Sequence, residues 1–311
     1  MTYLSAYFDT WVSIYKSGLV KEKTLVKYQT TREWLVKLEP KISIESITRN
    51  DYQLLIKNYA DSHAHKTVVD FHRQIRSCIL DAIDDGVIQK DFTRKVFLGG
   101  QIPKQRNLFL EESEAKILMQ SFQLENKQNL SWAHFFALLL TTGLRFSEGL
   151  ALPKDNFDFK NLTIEVKQSY NYQQKGDISN RFQPTKNMAS VRNIALDLKT
   201  AWILRPFIEN IQHDLPIFPQ LMGTGHPIVY NSTINNRLKK YCEQAGVPTI
   251  TLHGLRHTHA SILIANDISI QVVAKRLGHS NTITTQTTYI HLLQAAEKKA
   301  NDKITSILVN W

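Results

Sequence analysis

Residues 99–106, Gly-Gly-Gln-Ile-Pro-Lys-Gln-Arg, interrupt a chain whose apolar residues otherwise recur mostly at helical spacing. Two glycines and a proline within eight positions favour turns and remove an amide donor, so a regular element is not expected to run through them. A chain of 311 residues broken there divides naturally into two domains. Before the break, Leu4, Phe8, Trp11 and Tyr15 share one helical face, and Val68, Phe71, Ile75, Ile79 and Ala82 share another. The second of these helices is predicted to stop at Asp85-Gly86, and a further helix to start at Asn50 as its cap. After the break, 111–122 and 132–140 read as helices. The stretches 162–167 (LTIEVK) and 191–196 (VRNIAL) read as paired strands, with a polar segment around Pro184 between them. From 231 onward the pattern is helical again. The expected fold is mainly α with a small antiparallel sheet (α+β). It comprises a helical domain over 1–100, a linker over 101–107 and a larger domain over 108–311.

Charge narrows the function. Lys+Arg 38 against Asp+Glu 28 gives +10, shared evenly as +5 up to residue 106 and +5 beyond it. An excess spread over both domains suits a grip on a polyanion from two sides. The two cysteines, Cys78 and Cys242, lack CxxC spacing, which excludes a disulfide scaffold or a structural zinc site as the organising principle. The longest apolar stretch, 133–140 (AHFFALLL), falls far short of the roughly 20 residues that span a bilayer. No secretory signal is visible at the start. A cytoplasmic protein without membrane contact is expected.

The chemistry concentrates in a few short segments: Thr142-Gly-Leu-Arg145-Phe-Ser-Glu148, Pro184-Thr-Lys186, Thr251-Leu-His253-Gly-Leu-Arg256-His257-Thr-His259, Gly278-His279 and Tyr289. If 251–259 is helical, His253 and Arg256 share a face. A phosphodiester in a five-coordinate transition state gathers negative charge on its non-bridging oxygens, which forked guanidiniums match in shape and charge. Tyrosine is an oxygen nucleophile able to hold a covalent intermediate, but its pKa near 10 demands a base or a cationic pocket. Histidine can take that proton and lysine can supply one to the leaving oxygen. Two-metal phosphoryl transfer needs clustered carboxylates, and none stands near these residues. No metal and no cofactor are expected.

The order Arg145, Lys186, His253, Arg256, His279, Tyr289 resembles the tyrosine recombinase (phage integrase) family. The likeness is carried by TTGLRFSEGLAL, HGLRHTHASILI and KRLGHSNTITTQTTYIHL. It is strongest from about residue 107 onward. Before that, the helical pattern and the Thr24–Tyr28 spacing resemble the family's core-binding domain. The resemblance implies that Tyr289 attacks the scissile phosphate and forms a 3′-phosphotyrosyl link. Arg145 and Arg256 hold the non-bridging oxygens, His253 acts as base, Lys186 as acid, and His279 bonds the phosphate. Glu148 orients its helix. The implied activity is site-specific recombination for integration or excision of a mobile element. A Xer-type resolvase or a non-catalytic DNA-binding regulator is the alternative. The implied partners are double-stranded core sites, a homotetramer on DNA formed from free monomers, and an accessory bending or directionality factor. The integrases that the motifs resemble carry an N-terminal arm-binding domain, and none is visible before the core-binding pattern.

Several residues carry weaker expectations. Lys66, Arg73 and Arg76 lie on or beside one helix, Lys66 and Arg73 seven apart on a common face, and with Arg192 they are read as DNA contacts. Lys175 competes with Lys186. His257, His259 and His291 are assigned to packing or support. Apolar residues at Leu293, Ala296, Ala300, Ile304 and Leu308 predict a final amphipathic helix, which in the family often docks on a neighbouring protomer.

Overall fold

The computed structural model describes residues 2–102, 107–172, 182–184, 188–222 and 228–289. The chain divides into two compact units, Met1–Gln105 and Arg106–Trp311. The first is helical: α1 (Leu4–Tyr15), α2 (Glu22–Leu38), α3 (Arg49–Ala60) and α4 (His65–Asp84). Their apolar faces close on a core that includes Phe8, Trp11, Leu35, Tyr52, Phe71 and Ile75. Trp11 enters that core and still satisfies its indole N–H, which donates to Asp81 at 2.7 Å. Helix α4 ends just before Gly86, which takes φ +74°. Helix α3 is capped two residues earlier than its sequence predicts, by Thr48 rather than Asn50. Thr48 and Asp51 cap each other reciprocally, an arrangement that satisfies two orphan amides at once. Gln101 exchanges backbone hydrogen bonds with His63 and His65, so this part of the expected linker is tied back to the start of α4.

In the second unit, α5 (Glu112–Ser121), α6 (Trp132–Thr142) and α7 (Phe146–Leu150) precede the strands. Strands β1 (Phe157–Asp158), β2 (Thr163–Val166) and β5 (Arg192–Ala195) form one antiparallel sheet in the order β1-β2-β5. Glu165 lies opposite Asn193 in the β2–β5 register. Two further strands, β3 (Gln168–Tyr170) and β4 (Phe182–Pro184), form a separate antiparallel pair; β3 precedes the segment 173–190 read from sequence as a polar connection, and β4 lies within it. Then follow α8 (Leu198–Ile208), α9 (Asn231–Gln244), α10 (Leu252–Ala265), α11 (Ile270–Leu277) and α12 (Ile283–Thr288). Helix α6 is apolar on nearly every side and packs against α8, α9 and α10, as expected of a helix at the centre of a unit. The mainly α fold with small antiparallel sheets matches the sequence reading. The final amphipathic helix, His291, Lys186 and Lys175 lie outside the described residues. No helix among the described residues is long and apolar enough to cross a membrane.

Candidate active site

Three arginines meet at one helix end. The last carbonyls of an α-helix lack intrahelical partners and carry the negative end of its dipole. At the end of α11, Arg192 Nε donates to the carbonyl of Arg276 at 2.7 Å, Arg256 Nη2 to that of Leu277 at 2.6 Å, and Arg145 Nη2 to that of Gly278 at 3.0 Å. Gly278 caps the helix at φ +69°. A Cβ there would lie 2.9 Å from Arg192 Nη1 and 3.1 Å from Ser190 Cα, so the turn that gathers the arginines requires glycine. Gly143 does the same at the end of α6. It also takes φ +69°, a Cβ would stand 2.6 Å from the His259 ring, and its carbonyl accepts from Arg256 Nη1 at 2.7 Å.

Glu148, 2% exposed, is the counter-charge. It accepts from Arg145 at 2.6 Å and from Arg192 at 3.0 Å, and Arg256 Nη1 stands 3.9 Å away. Burial alone pushes its carboxyl up, but the guanidiniums of Arg192, Arg145 and Arg256 outweigh that and hold it below the usual carboxylate value. Three fixed guanidiniums against one carboxylate leave a positive pocket, suited to a phosphate. Burial, then the neighbouring Arg145, pulls the Arg256 pKa down against the opposing pull of Glu148.

The imidazoles stand around this cluster. His253 and His257 lie one turn apart on α10, with ring centroids 4.6 Å apart and edges crossed. Lost hydration, then the charges of His257, Arg256 and Arg145, push His253 down to about 4. His279 follows the Gly278 turn, with Nε2 3.0 Å from Arg256 Nη2. Burial and the same arginines bring it to about 4. Tyr289, at the end of α12, packs against Ala260, Ile264, Val273 and Leu277 and is 2% exposed. Its hydroxyl shares a 2.6 Å hydrogen bond with His257 Nδ1, and burial pushes its pKa up. The structure therefore brings Arg145, His253, Arg256, His279 and Tyr289 together.

Residues 108–296 match the phage integrase family, a span covering more than half of the chain. The chain belongs to the phage integrase family. Among curated relatives, the integrase of Staphylococcus phage L54a is 26% identical over 304 residues, covering 86% of each chain. The transposase of transposon Tn916 from Enterococcus faecalis is 25% identical over 300 residues, covering 89% of this chain and 72% of that one. The fold is shared with the Tn1549 transposon integrase solved in complex with a circular intermediate DNA, at a TM-score of 0.78 and 18% identity over 96% of this chain and all of that one. It is also shared with lambda integrase bound as a dimer to a core site, at 0.64 and 16% identity over 90% and 93%. The protein is a tyrosine recombinase of the integrase type.

Within this integrase site, sequence reasoning undervalued His257. The His-x-x-Arg-His run set His257 four residues after His253, on the same helical face, which was the available signal. His259, assigned to support, fits that role. Its Nε2 accepts from Arg276 at 2.9 Å, and its Nδ1 donates to the Leu140 carbonyl, also at 2.9 Å. Arg192 does not match the expected DNA contact. Its side chain is 7% exposed, and its donors are turned inward to Glu148, Ser190 and Arg276. Arg76 is likewise bound to Asp91 at 2.7 Å and to Thr93 at 2.8 Å, a fastening within its own unit. Arg73 is exposed beside Asp70, and Lys66 is exposed.

The depressed histidines set an acid limit. Burial brings His134 in α6 and His279 to about 4, and His259 to about 3, against an ordinary 6.5. Below pH 6.5 the unfolded chain takes up protons that these folded rings refuse. Stability is therefore full above that pH and is lost progressively as pH falls toward about 4. The denaturant midpoint is expected to fall between about pH 7 and pH 5. A flat midpoint over that interval contradicts buried, neutral rings.

Proposed function

We propose that this integrase inserts or excises a mobile element by cutting and rejoining double-stranded core sites through Tyr289. The convergence of two anchored arginines, three imidazoles and a tyrosine on one positive pocket carries the reading. Arg145 and Arg256 hold the non-bridging oxygens of the scissile phosphate. Each guanidinium is fixed by Glu148 or by helix-end carbonyls before DNA arrives, so little reorganisation remains for the transition state. Tyr289 Oη forms a bond to phosphorus as the bond to the 5′-oxygen breaks. The hydroxyl proton passes to the imidazole pair, where His257 Nδ1 already lies within hydrogen-bond distance and His253 borders it. His279 bonds a phosphate oxygen. Lys186 supplies the proton that the 5′-oxygen takes up. A second strand's 5′-hydroxyl then attacks the phosphotyrosyl link, restoring the tyrosine and rejoining DNA with no external energy.

The reading extends to the rest of the chain. The helical unit acts as a core-type DNA-binding domain, with Lys66 and Arg73 as phosphate contacts. Four protomers assemble on DNA from free monomers, an accessory bending or directionality factor sets the outcome, and the work takes place in the cytoplasm at the nucleoid. Because side chains alone supply acid, base and charge, covalent protein–DNA adduct on a nicked core-site duplex is expected to form undiminished in EDTA. Loss of adduct in EDTA, restored by a divalent cation, contradicts this chemistry.

A further inference from the structure

His279 is held from both sides, and the two contacts fix where its proton sits. Nε2 faces Arg256 Nη2 at 3.0 Å, while Nδ1 faces Thr285 Oγ1 at 2.6 Å. A guanidinium only donates, so Nε2 accepts, and the single proton of a neutral ring must be on Nδ1, donated to Thr285. A doubly protonated ring has no lone pair for Arg256, and burial beside three arginines keeps this ring neutral. Thr285 is fully buried, and its own carbonyl accepts the Tyr289 amide at 3.1 Å. One residue of α12 thus holds the His279 ring with its side chain and the tyrosine with its backbone.

This tautomer offers Nε2 as a lone pair, whereas a phosphate oxygen requires a donor. Among natural side chains, a hydroxyl can accept and donate at the same oxygen by turning about its Cβ–Oγ bond. We infer that Thr285 is the positioning residue that lets His279 change tautomer, accepting from Nδ1–H in the free protein and donating to Nδ1 once DNA is bound. In the exchange solvent water supplies the proton that enters the ring at Nε2 and takes up the one that leaves from Nδ1, while the Thr285 hydroxyl keeps its own proton, so the charge of the ring is unchanged. Nε2–H then donates to the phosphate oxygen, and Arg256 Nη2 turns its released donor to the same phosphate. The inference rests on the proposed contact between His279 and the scissile phosphate.

The test uses the full chain with Thr285→Val, which keeps the shape and removes the hydroxyl, and Thr285→Ser, which keeps the hydroxyl. Imidazole nitrogen NMR of the DNA-free protein is expected to show His279 protonated at Nδ1 in wild type and in both variants, because Arg256 still donates to Nε2. On a nicked core-site duplex, Thr285→Val is expected to form adduct about 10- to 100-fold more slowly, as when the partner orienting a ligating histidine is removed. Thr285→Ser should stay within about threefold of wild type, and all three should bind the duplex alike. Adduct formation by Thr285→Val at the wild-type rate overturns the inference, as does a serine variant as slow as the valine one. A wild-type ring protonated at Nε2 in the free protein overturns it as well, whether or not the variants fold. Absence of adduct in wild type instead sinks the proposed function and leaves the tautomer measurement to judge Thr285 alone.

Discussion

Arg256→Lys is expected to lower the rate of strand cleavage by about 10²- to 10³-fold while leaving core-site affinity nearly unchanged. Lysine keeps the charge but loses the fork, and Arg256 uses that fork to bridge the Gly143 and Leu277 carbonyls while facing His279. Its side chain is only 3% exposed, so it adds little to the diffuse attraction that draws DNA in. That attraction comes from charge spread over the whole protein, and it weakens steeply with salt. On the proposed mechanism, Arg256 acts where charge develops on the phosphate. Single-turnover adduct formation and a binding isotherm at one fixed salt concentration separate the two effects. Equal losses in cleavage and affinity contradict a transition-state role and make Arg256 an ordinary phosphate contact.

The second large effect concerns the fold. Glu148→Gln keeps the size and the acceptor oxygen but removes the charge that Arg145, Arg192 and Arg256 surround. Leaving buried charges uncompensated costs about 3–5 kcal/mol, well beyond the usual single substitution. The denaturant midpoint is therefore expected to fall by that equivalent, with the slope of the transition preserved. Part of the loss is pH-dependent in wild type. The carboxyl of Glu148 is held below its unfolded value, so its contribution is present above about pH 4.5 and disappears as pH falls through the folded value. A change of less than about 1 kcal/mol contradicts the reading of Glu148 as the counter-charge of the site.

Much of this was legible in the amino-acid order, because it follows from spacing along single elements. Three-and-four periodicity placed α1 and α4, alternation placed β2 and β5, and the His253–Arg256 spacing put both on one face of α10. What escaped depends on contacts between elements. Asn50 is an acceptable cap in isolation, but Thr48 wins because Asp51 returns its hydrogen bond. Strands β3 and β4 are three residues each, too short for alternation to stand out from a polar loop. Arg192 reads as a free cation on a strand until the fold turns it onto Glu148 and the end of α11. Thr285 is one of several threonines in TITTQTT, and nothing along the chain distinguishes it from the others. Only the packing of α12 beside His279 does so.

Covalent trapping tests the central claim most directly. Wild type and Tyr289→Phe are incubated with a nicked core-site duplex whose released end cannot rejoin, and the products are resolved on a denaturing gel. A stable protein–DNA adduct is expected with wild type and none with Tyr289→Phe, while both bind the duplex with similar affinity. Adduct in both places the nucleophile on another residue. Absence of adduct in wild type, with site-specific binding intact, contradicts the recombinase chemistry altogether.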